Sequence, residues 1–303
     1  MSGSDPSQAS SAAFAEQLET FARQFDRHYS DCLTPSGDVP PRLLEAVRYS
    51  ALAPGKRLRP YLVVRCCELV GGEKSDAWGA AAAIECVHAF SLIHDDLPAM
   101  DDDDVRRGRP TSHKKFGEAV AILAGDTLLA LAFELLTKEM RDAPVVRAAV
   151  AELAIGVGWS GMIGGQTADI LGEWEEPRRD LAEYIHARKT ARLFETACRL
   201  GALVGRGGTE KADRLGVYGQ MVGRAFQIAD DLLDVTASTK ALGKNVQKDA
   251  GAGKQTFPQC VGVEGSRRAA GEAVVAAIAA LESFGPAADD LRTLAHYVIA
   301  RSY

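Results

Sequence analysis

Hydrophobic positions recur at helical spacing in nearly every segment of this chain. Between residues 14 and 33 the apolar side chains stand three or four residues apart, at Phe14, Leu18, Phe21 and Phe25. This spacing predicts a helix with one buried face. Runs of alternating β-branched residues are nearly absent, which argues against a sheet. The pattern predicts helices over residues 14–33, 40–52, 59–72, 75–97, 115–140, 145–171, 178–205, 209–235, 265–283 and 286–301.

Prolines and glycines place several of these helix ends. Pro40 begins one predicted helix, the pair Gly71–Gly72 ends another, and Pro98 disfavours the helical conformation at Leu97. The chain shows no fixed-period repeat and no linker rich in Pro and Ser. We therefore predict one all-α domain over residues 13–303, with about ten or more long helices around a central cavity. Residues 1–12 are predicted to be a disordered lead-in.

Composition and charge narrow the class of protein. The 303 residues are 47% hydrophobic and 25% charged, with a net charge of −6. Since nonspecific nucleic-acid binding needs a basic surface, this balance argues against it. The N-terminus lacks the basic and apolar regions of a secretory signal, and no charge-free apolar run reaches about 18 residues. The six cysteines form no CxxC pair. We expect a cytoplasmic protein with reduced cysteines, no membrane span and no nucleic-acid partner.

Aspartates are concentrated between residues 94 and 107. Asp95 and Asp96 close a predicted helix, and Pro98 then turns the chain so that Asp101 can fold back beside them. The spacing lacks the alternating ligands, the central Gly and the terminal Glu of an EF-hand calcium loop. It suits Mg²⁺, which takes a few carboxylates and completes its shell with water and phosphate oxygens. Taken alone, the segment leaves a solvated acidic loop open as the alternative.

A second acidic cluster, FQIADDLLDV at residues 226–235, lies in an otherwise apolar predicted helix. Asp230 and Asp234 are four residues apart, so they share one helix face and repel one another. An exposed acidic stripe is the alternative, although the apolar neighbours leave little polar surface for one. A bound divalent cation would relieve the repulsion, which predicts a second metal-binding motif.

Basic residues accompany both acidic clusters. The segment PGKRLRP (54–60) carries three cations at a turn that leads into a predicted helix, where free backbone N–H groups also favour anions. Further cations are Arg106, Arg107, Lys189, Lys244 and Lys254. Singly, each could be a solvated surface charge. Together with two acidic motifs, they predict a site for two diphosphate groups.

The motifs occur in an order that resembles a known family. From about residue 40 to the C-terminus they are GKRLRP, HDDLPAMDDDDVRRGRPT, GGQTADI, RKTARLF, FQIADDLLDV and the pair LGK and AGKQTFP. The chain is similar to the trans-isoprenyl diphosphate synthases, most closely to the bacterial farnesyl diphosphate synthases. The resemblance implies the isoprenoid synthase fold and a homodimer. It also implies that the substrates are isopentenyl diphosphate and an allylic diphosphate.

The resemblance assigns roles to single residues. It implies three Mg²⁺ ions, for which Mn²⁺ can substitute, held by Asp95, Asp101 and Asp230, with Asp96, Asp231 and Asp234 close by. The residues implied to contact the allylic diphosphate are Arg106, Lys189 and Lys244, with Lys254 as a second lysine of a closing loop. The residues implied to hold isopentenyl diphosphate without metal are Lys56, Arg59, His88 and Arg107.

The implied reaction proceeds through an allylic carbocation. Magnesium and cationic side chains stabilise the negative charge on the departing diphosphate. The double bond of isopentenyl diphosphate then attacks the carbocation, and loss of a proton gives the longer product. The dipoles near the cation in this resemblance are Thr190, Gln227 and the carbonyl of Lys189, while Gln166 and Asp169 form a further polar pair. No protein nucleophile is needed.

The size of the side chains that lie below the first aspartate motif is expected to set the length of the product. Phe90 and Ser91 lie five and four residues before Asp95, about one helical turn below the metal site. A phenyl ring there would block the cavity floor, which predicts the C15 product farnesyl diphosphate. The alternative is a geranylgeranyl diphosphate synthase in which Phe90 packs aside. The smaller residues Ala83, Ile84 and Val87 would then permit extra depth.

Two functions of other classes remain as remote alternatives. A terpene cyclase would carry a different second metal motif and would lack the site for a second substrate. A noncatalytic subunit of a heteromeric prenyltransferase would tend to lose one aspartate motif, whereas both are intact here.

Overall fold

The computed structural model describes residues 6–139, 142–173, 175–240 and 254–300. Its helices are α1 (Pro6–Cys32), α2 (Pro41–Ala51), α3 (Leu58–Val70), α4 (Lys74–Asp95), α5 (Ser112–Phe116), α6 (Glu118–Glu139), α7 (Ala143–Val157), α8 (Met162–Leu171), α9 (Arg179–Ile185), a π-helix (His186–Ala191), α10 (Arg192–Val204), α11 (Gly208–Lys240), α12 (Phe257–Ala280), a 3₁₀-helix (Glu282–Ala288) and α13 (Asp289–Ala300). The strands described are β1 (Val105–Arg106) and β2 (Arg109–Pro110), which pair antiparallel. The predicted all-α fold is confirmed.

Helix α4 lies at the centre of the molecule and ends at the first aspartate motif. It packs against α3, α6 and α10. The run Ala80–Ala83 is fully buried, and Ile84 and Val87 one turn later are buried as well. Small side chains let the neighbouring helices approach closely, so α4 is held on several sides. The rigid core therefore extends to within one or two turns of Asp95.

The element boundaries differ from the predicted ones at several places; α12, for example, begins at Phe257 and not at residue 265. Helix α1 begins at Pro6, which is tolerated at a helix start, so residues 6–12, expected to be a disordered lead-in, lie in this helix. The predicted helix 145–171 is broken between α7 and α8. Gly161 is non-helical there, and a Cβ on it would lie 2.1 Å from the carbonyl oxygen of Gly156. The predicted helix 178–205 contains the π-helix instead of continuing as one α-helix.

Two segments are long and apolar enough, by length and composition, to cross a membrane. They are Glu118–Lys138 in α6 and Ala143–Leu171, which spans α7 and α8. In each segment about a third of the most apolar window is buried within the fold. The expectation that the chain has no membrane span therefore stays a prediction.

Candidate active site

A cavity of about 710 Å³ lies among α3, α4, α8, the π-helix and α11. Most of the predicted site residues line it, namely Arg59, His88, Phe90, Ser91, Asp95, Asp101, Arg106, Arg107, Gln166, Lys189, Thr190, Gln227 and Asp230. Those of the described residues that are predicted for the site but do not line the cavity are Lys56, Asp96, Asp231, Asp234 and Lys254. Lys244 lies outside the described residues. The fold thus brings the acidic motifs and basic segments to one place, although they are distant in sequence.

The first aspartate motif folds back on itself at the end of α4. The backbone N–H of Asp101 donates to the carbonyl of Asp95 over 2.8 Å, and that of Asp103 donates to the carbonyl of Asp96 over 3.2 Å. This turn places the Asp95 and Asp101 side chains on the cavity wall. Asp96 is buried on the other side of the turn, where Nε of Arg106 lies 2.6 Å from its Oδ1. The adjacent residues Asp95 and Asp96 therefore have different surroundings: Asp95 faces the cavity, and Asp96 contacts Arg106.

The acidic side of the cavity suits a hard divalent cation. The pKa of Asp95 is raised to about 6, mainly by burial and also by the nearby Asp101, against the opposing effect of Lys189. An ionised Asp95 is thus costly in this structure without a compensating positive charge. Asp95, Asp101 and Asp230 all line the cavity and offer the oxygen ligands that Mg²⁺ prefers. These residues fit the magnesium ions implied by the resemblance.

The three aspartates of the second motif have different surroundings. Asp230 lines the cavity, whereas Asp234, one turn later on α11, is exposed and does not line it. Asp231 is buried and accepts hydrogen bonds from Nε2 of Gln227 and from the backbone N–H of Phe257, each over 2.9 Å. Nε2 of His186 lies 3.2 Å from the same carboxylate. Asp231 therefore links helices of the protein behind the cavity wall.

Basic side chains also line the cavity. The pKa of Arg59 is lowered to about 10, mainly by burial and also by Arg107, against the effect of Glu85 and Asp230. Burial also lowers the pKa of His88 well below its usual range, with Arg59 and Arg107 adding to the effect. These groups repel one another in a poorly solvated place, and an anion bound between them would relieve that repulsion. Lys56 is exposed, with Nζ 5.5 Å from the centroid of the Tyr297 ring.

Arg57 has a structural position within the basic segment. Its backbone is left-handed, with φ of 51°, and its side chain is buried. Its guanidinium lies 2.6 Å from Glu85 and 2.8 Å from Asp26, and it donates to the carbonyls of Ala51 and Ala53. Arg57 therefore stabilises the turn between α2 and α3. The neighbouring Arg59 faces the cavity, with its guanidinium 4.5 Å from the centroid of the Phe194 ring.

The π-helix carries Lys189 and Thr190 to the cavity wall. Oγ1 of Thr190 donates to Oε1 of Gln227 over 2.6 Å, and Nζ of Lys189 lies 2.5 Å from Oδ2 of Asp169. Helix α8 approaches the π-helix backbone to backbone, since a Cβ on Gly165 would lie 2.2 Å from the nitrogen of Lys189. Neither amide atom of Gln166 has a hydrogen-bond partner within the described part of the chain, although both are buried. A polar ligand in the cavity would satisfy them.

Apolar residues form the remaining wall of the cavity. Phe90 is 6% exposed, and its ring stands edge to face with the imidazole of His94 at 5.3 Å between centroids. Ser91 donates to the carbonyl of His88. Within the described residues, the lining from α4 extends no deeper than His88. Lining residues that the sequence reasoning missed are Leu92, His94, Met100, Met162, Ile163, Thr167, Ile170, Leu193 and Phe226. Helical spacing from Gln166 could have indicated those on α8.

A further group of possible metal ligands lies beside the first motif. One ligand atom each from Asp102, Asp104 and His113 lies within 4.8 Å of the others. Both aspartates are exposed, and Nζ of Lys114 lies 2.7 Å from Asp104. This group contains none of the predicted ligands Asp95, Asp101 and Asp230.

Comparison with known proteins agrees with this geometry. The family model described as polyprenyl synthetase matches residues 40–284. This chain belongs to that family. It is 50% identical over 238 residues to geranylgeranyl pyrophosphate synthase 11, chloroplastic, of Arabidopsis thaliana, a match that covers 76% of this chain and 66% of the relative. It is 47% identical over 270 residues to geranylgeranyl pyrophosphate synthase 9, chloroplastic, of the same organism, covering 86% of this chain and 75% of the relative.

Solved structures show the same fold. An FPP/GFPP synthase from Zymomonas mobilis, in an apo structure, matches with a TM-score of 0.85 and 41% sequence identity. The match covers 95% of this chain and 99% of that chain. The predicted family and fold are therefore confirmed. The curated relatives carry the name of the alternative product and favour it over the farnesyl prediction.

Proposed function

We propose that this chain is a short-chain prenyl diphosphate synthase that condenses isopentenyl diphosphate with an allylic diphosphate. The observation that carries the proposal is that one cavity is lined by three carboxylates, by several cationic side chains and by apolar residues. The carboxylates would receive the allylic diphosphate with Mg²⁺. The basic residues Arg59, His88 and Arg107 would receive isopentenyl diphosphate. A cyclase needs no such second anion site.

The residues of the chain have separable tasks in this reaction. Asp95, Asp101 and Asp230 would hold magnesium, which supplies positive charge to the departing diphosphate. Lys189 lies between the acidic wall and Asp169, where it can donate to the same diphosphate. The hydroxyl of Thr190 and the amide of Gln227 form a pair of oriented dipoles at the cavity wall. The apolar wall excludes water from the carbocation, so that the double bond of isopentenyl diphosphate is the nucleophile that reaches it.

Geranylgeranyl diphosphate is the product that the relatives support, and we propose it first. Apolar surface for a C20 tail is available beside Phe90, on the α8 residues Met162, Ile163 and Ile170. Farnesyl diphosphate is the second candidate, and the position of Phe90 favours it. The ring lies in the cavity wall, and Ala83, Ile84 and Val87 beyond it are fully buried.

The test is incubation of the purified protein with Mg²⁺, isopentenyl diphosphate and dimethylallyl diphosphate, followed by chromatography of the dephosphorylated product. A C20 alcohol supports the first candidate and a C15 alcohol the second. A cyclic hydrocarbon, or no product from any allylic diphosphate, would contradict the proposed function.

We also propose that the chain forms a homodimer through the exposed apolar surface of α6 and α7. Ile122 and Leu123 on α6 are 42% and 55% exposed, and Ile155 on α7 is 55% exposed. Trp159, which follows α7, is 92% exposed. Large apolar side chains exposed in this number on adjacent helices indicate an interaction surface.

A further inference from the structure

His186 and Asp231 form a buried pair behind the cavity wall. Nε2 of His186 lies 3.2 Å from Oδ2 of Asp231, and each side chain is only 5% exposed. Neither residue lines the cavity. The imidazole stacks on the ring of Phe257, with 5.6 Å between centroids and 27° between planes. Nδ1 of His186 is buried without a hydrogen-bond partner within the described residues, so the ring's polar contact is the one to Asp231.

The carboxylate of Asp231 joins three helices. Its Oδ1 accepts from Nε2 of Gln227 one turn earlier on α11, and its Oδ2 accepts from the backbone N–H of Phe257. Phe257 is the first residue of α12, where backbone N–H groups lack partners in the helix and a negative charge is favourable. Nε2 of His186, on the π-helix, lies 3.2 Å from the same Oδ2. The start of α12 is therefore held against α11 and the π-helix at one carboxylate.

Each of these helices carries or adjoins a group that lies at the cavity or contacts one of its carboxylates. On α11, Gln227 accepts from Thr190 over 2.6 Å. The π-helix carries both His186 and Lys189. Lys254 stands three residues before Phe257, and its Nζ lies 2.8 Å from Oδ1 of Asp101. The position of each group depends on how these helices are joined.

We propose that His186 is a positioning residue that acts through Asp231 on the diphosphate site. This inference rests on the proposed function. The imidazole donates to Asp231, which holds the first turn of α12 and orients Gln227, and the first turn of α12 sets the place of Lys254. Without the imidazole, Asp231 remains buried with one donor fewer, a costly arrangement that a shift of α12 or an entering water would relieve. Lys254 would then no longer be held beside the carboxylates.

The test compares His186→Leu with His186→Gln, whose side-chain amide can donate to Asp231. For each variant we would measure the KM for the allylic diphosphate, kcat, and the rise in melting temperature on adding Mg²⁺ with inorganic diphosphate. We expect His186→Leu to raise this KM about tenfold, as losses of groups that orient ligand-binding residues typically do, and to lose most of the rise. His186→Gln should restore both to near the wild-type values. Phe257→Leu, which keeps the backbone N–H and removes the stacked ring, is the matched control and should leave the KM nearly unchanged.

Two results would overturn the positioning role. One is an unchanged KM and an unchanged melting rise in His186→Leu. The other is an equal loss in the Leu and Gln variants, which would show that packing of the imidazole and not its hydrogen bond matters. If His186→Leu does not fold, His186→Gln with full function supports the role, and His186→Gln with a tenfold raised KM opposes it. The wild-type prenyl transfer reaction tests the proposed function separately. If it fails, the melting rise with magnesium and diphosphate still decides whether His186 positions an anion site.

Discussion

The ammonium group of Lys254 lies 2.8 Å from Oδ1 of Asp101, which is an expected magnesium ligand. The two residues are 153 positions apart, and Asp169 lies 3.9 Å from the same ammonium. A magnesium ion at Asp101 would therefore meet a cation already in contact with its ligand. In the proposed reaction, the diphosphate would have to draw Lys254 from the carboxylate to a phosphate oxygen.

Replacing Lys254 should separate metal binding from catalysis. We expect Lys254→Gln to bind Mg²⁺ more tightly in the absence of substrate, because a competing cation is removed, yet to have a kcat/KM lower by roughly 10- to 100-fold. Titration calorimetry with MgCl₂ and steady-state kinetics give the two quantities. Lys211→Gln, at an exposed lysine, is the control. Weaker magnesium binding in Lys254→Gln would contradict the competition.

Asp95→Asn should make the unliganded protein more stable. The pKa of Asp95 is raised from its ordinary value of 3.8 to about 6, so its ionised form is less favourable in the folded protein than in the unfolded chain. The protonated form gives a stabilisation that is fully present below pH 3.8 and is lost as the pH rises through about 6. At pH 7.5 we therefore expect a gain of about 3 kcal/mol in the free energy of unfolding, at about 1.4 kcal/mol for each unit of pKa.

The gain in the free energy of unfolding of Asp95→Asn should vanish below about pH 4, where Asp95 is protonated in both the folded and the unfolded state. Denaturant titrations at pH 7.5 and pH 4 measure the difference, and Asp234→Asn at an exposed site is the control. A loss of stability at pH 7.5 would show that Asp95 is held by favourable contacts. The same substitution should abolish prenyl transfer if Asp95 is a magnesium ligand.

Phe90→Ala tests the floor of the cavity. If the ring limits the product, its removal opens space toward Val87 and the product should gain one or more C5 units. Product chromatography measures the length. Leu92→Ala, at another lining residue on α4, controls for a general loosening of the cavity. An unchanged product length would show that another part of the wall sets the limit.

Arg59 should not be replaceable by Lys. Its guanidinium lies 4.5 Å from the centroid of the Phe194 ring at the cavity wall, and an ammonium group does not reproduce the planar contact and the several donors of a guanidinium. We expect Arg59→Lys to raise the KM for isopentenyl diphosphate by roughly 10-fold with a smaller effect on the KM for the allylic substrate. Initial rates with each substrate varied in turn give both constants. Arg214→Lys, on an exposed face of α11, should change neither. An equal rise in both constants would argue against a separate isopentenyl site.

A charge on α6 should disrupt the proposed dimer. We expect Leu123→Glu to shift the protein toward monomer, since a carboxylate would be buried in an apolar contact without a partner. Light scattering after size-exclusion chromatography measures the mass at several concentrations. Val275→Glu, at a residue 70% exposed on α12, is the matched control. A dimer that persists in Leu123→Glu would place the interface elsewhere.

Local patterns in the sequence were sufficient for the fold class, whereas most of the cavity residues were implied by the resemblance of the ordered motifs to a known family. Helical spacing predicts which face of each helix is buried, and it placed Phe90 about one turn below Asp95. The turn at Pro98 was also predictable, because the residue before Pro avoids the helical conformation. These inferences depend on residues within a few positions of one another.

The contacts that the sequence did not indicate are between distant segments. The different roles of Asp95 and Asp96 depend on Arg106, and the position of Asp231 depends on His186 and on the N–H of Phe257. The break at Gly161 depends on a carbonyl five residues back, in a stretch whose apolar pattern reads as continuous helix. Such contacts are set by how helices meet, which periodicity alone does not specify.

The number of residues in the π-helix at 186–191 determines which of its side chains face the cavity and which lie behind the cavity wall. A π-helical turn holds one residue more than an α-helical turn, so removal of a single residue there would convert it to α-helix. Each side chain on one side of the deletion would then rotate by about 100° relative to the other side. His186 could keep its place behind the wall, or Lys189 and Thr190 could keep theirs in front of it, but one α-helix could not present both. At this point in the molecule, a one-residue deletion would therefore be more damaging than most substitutions.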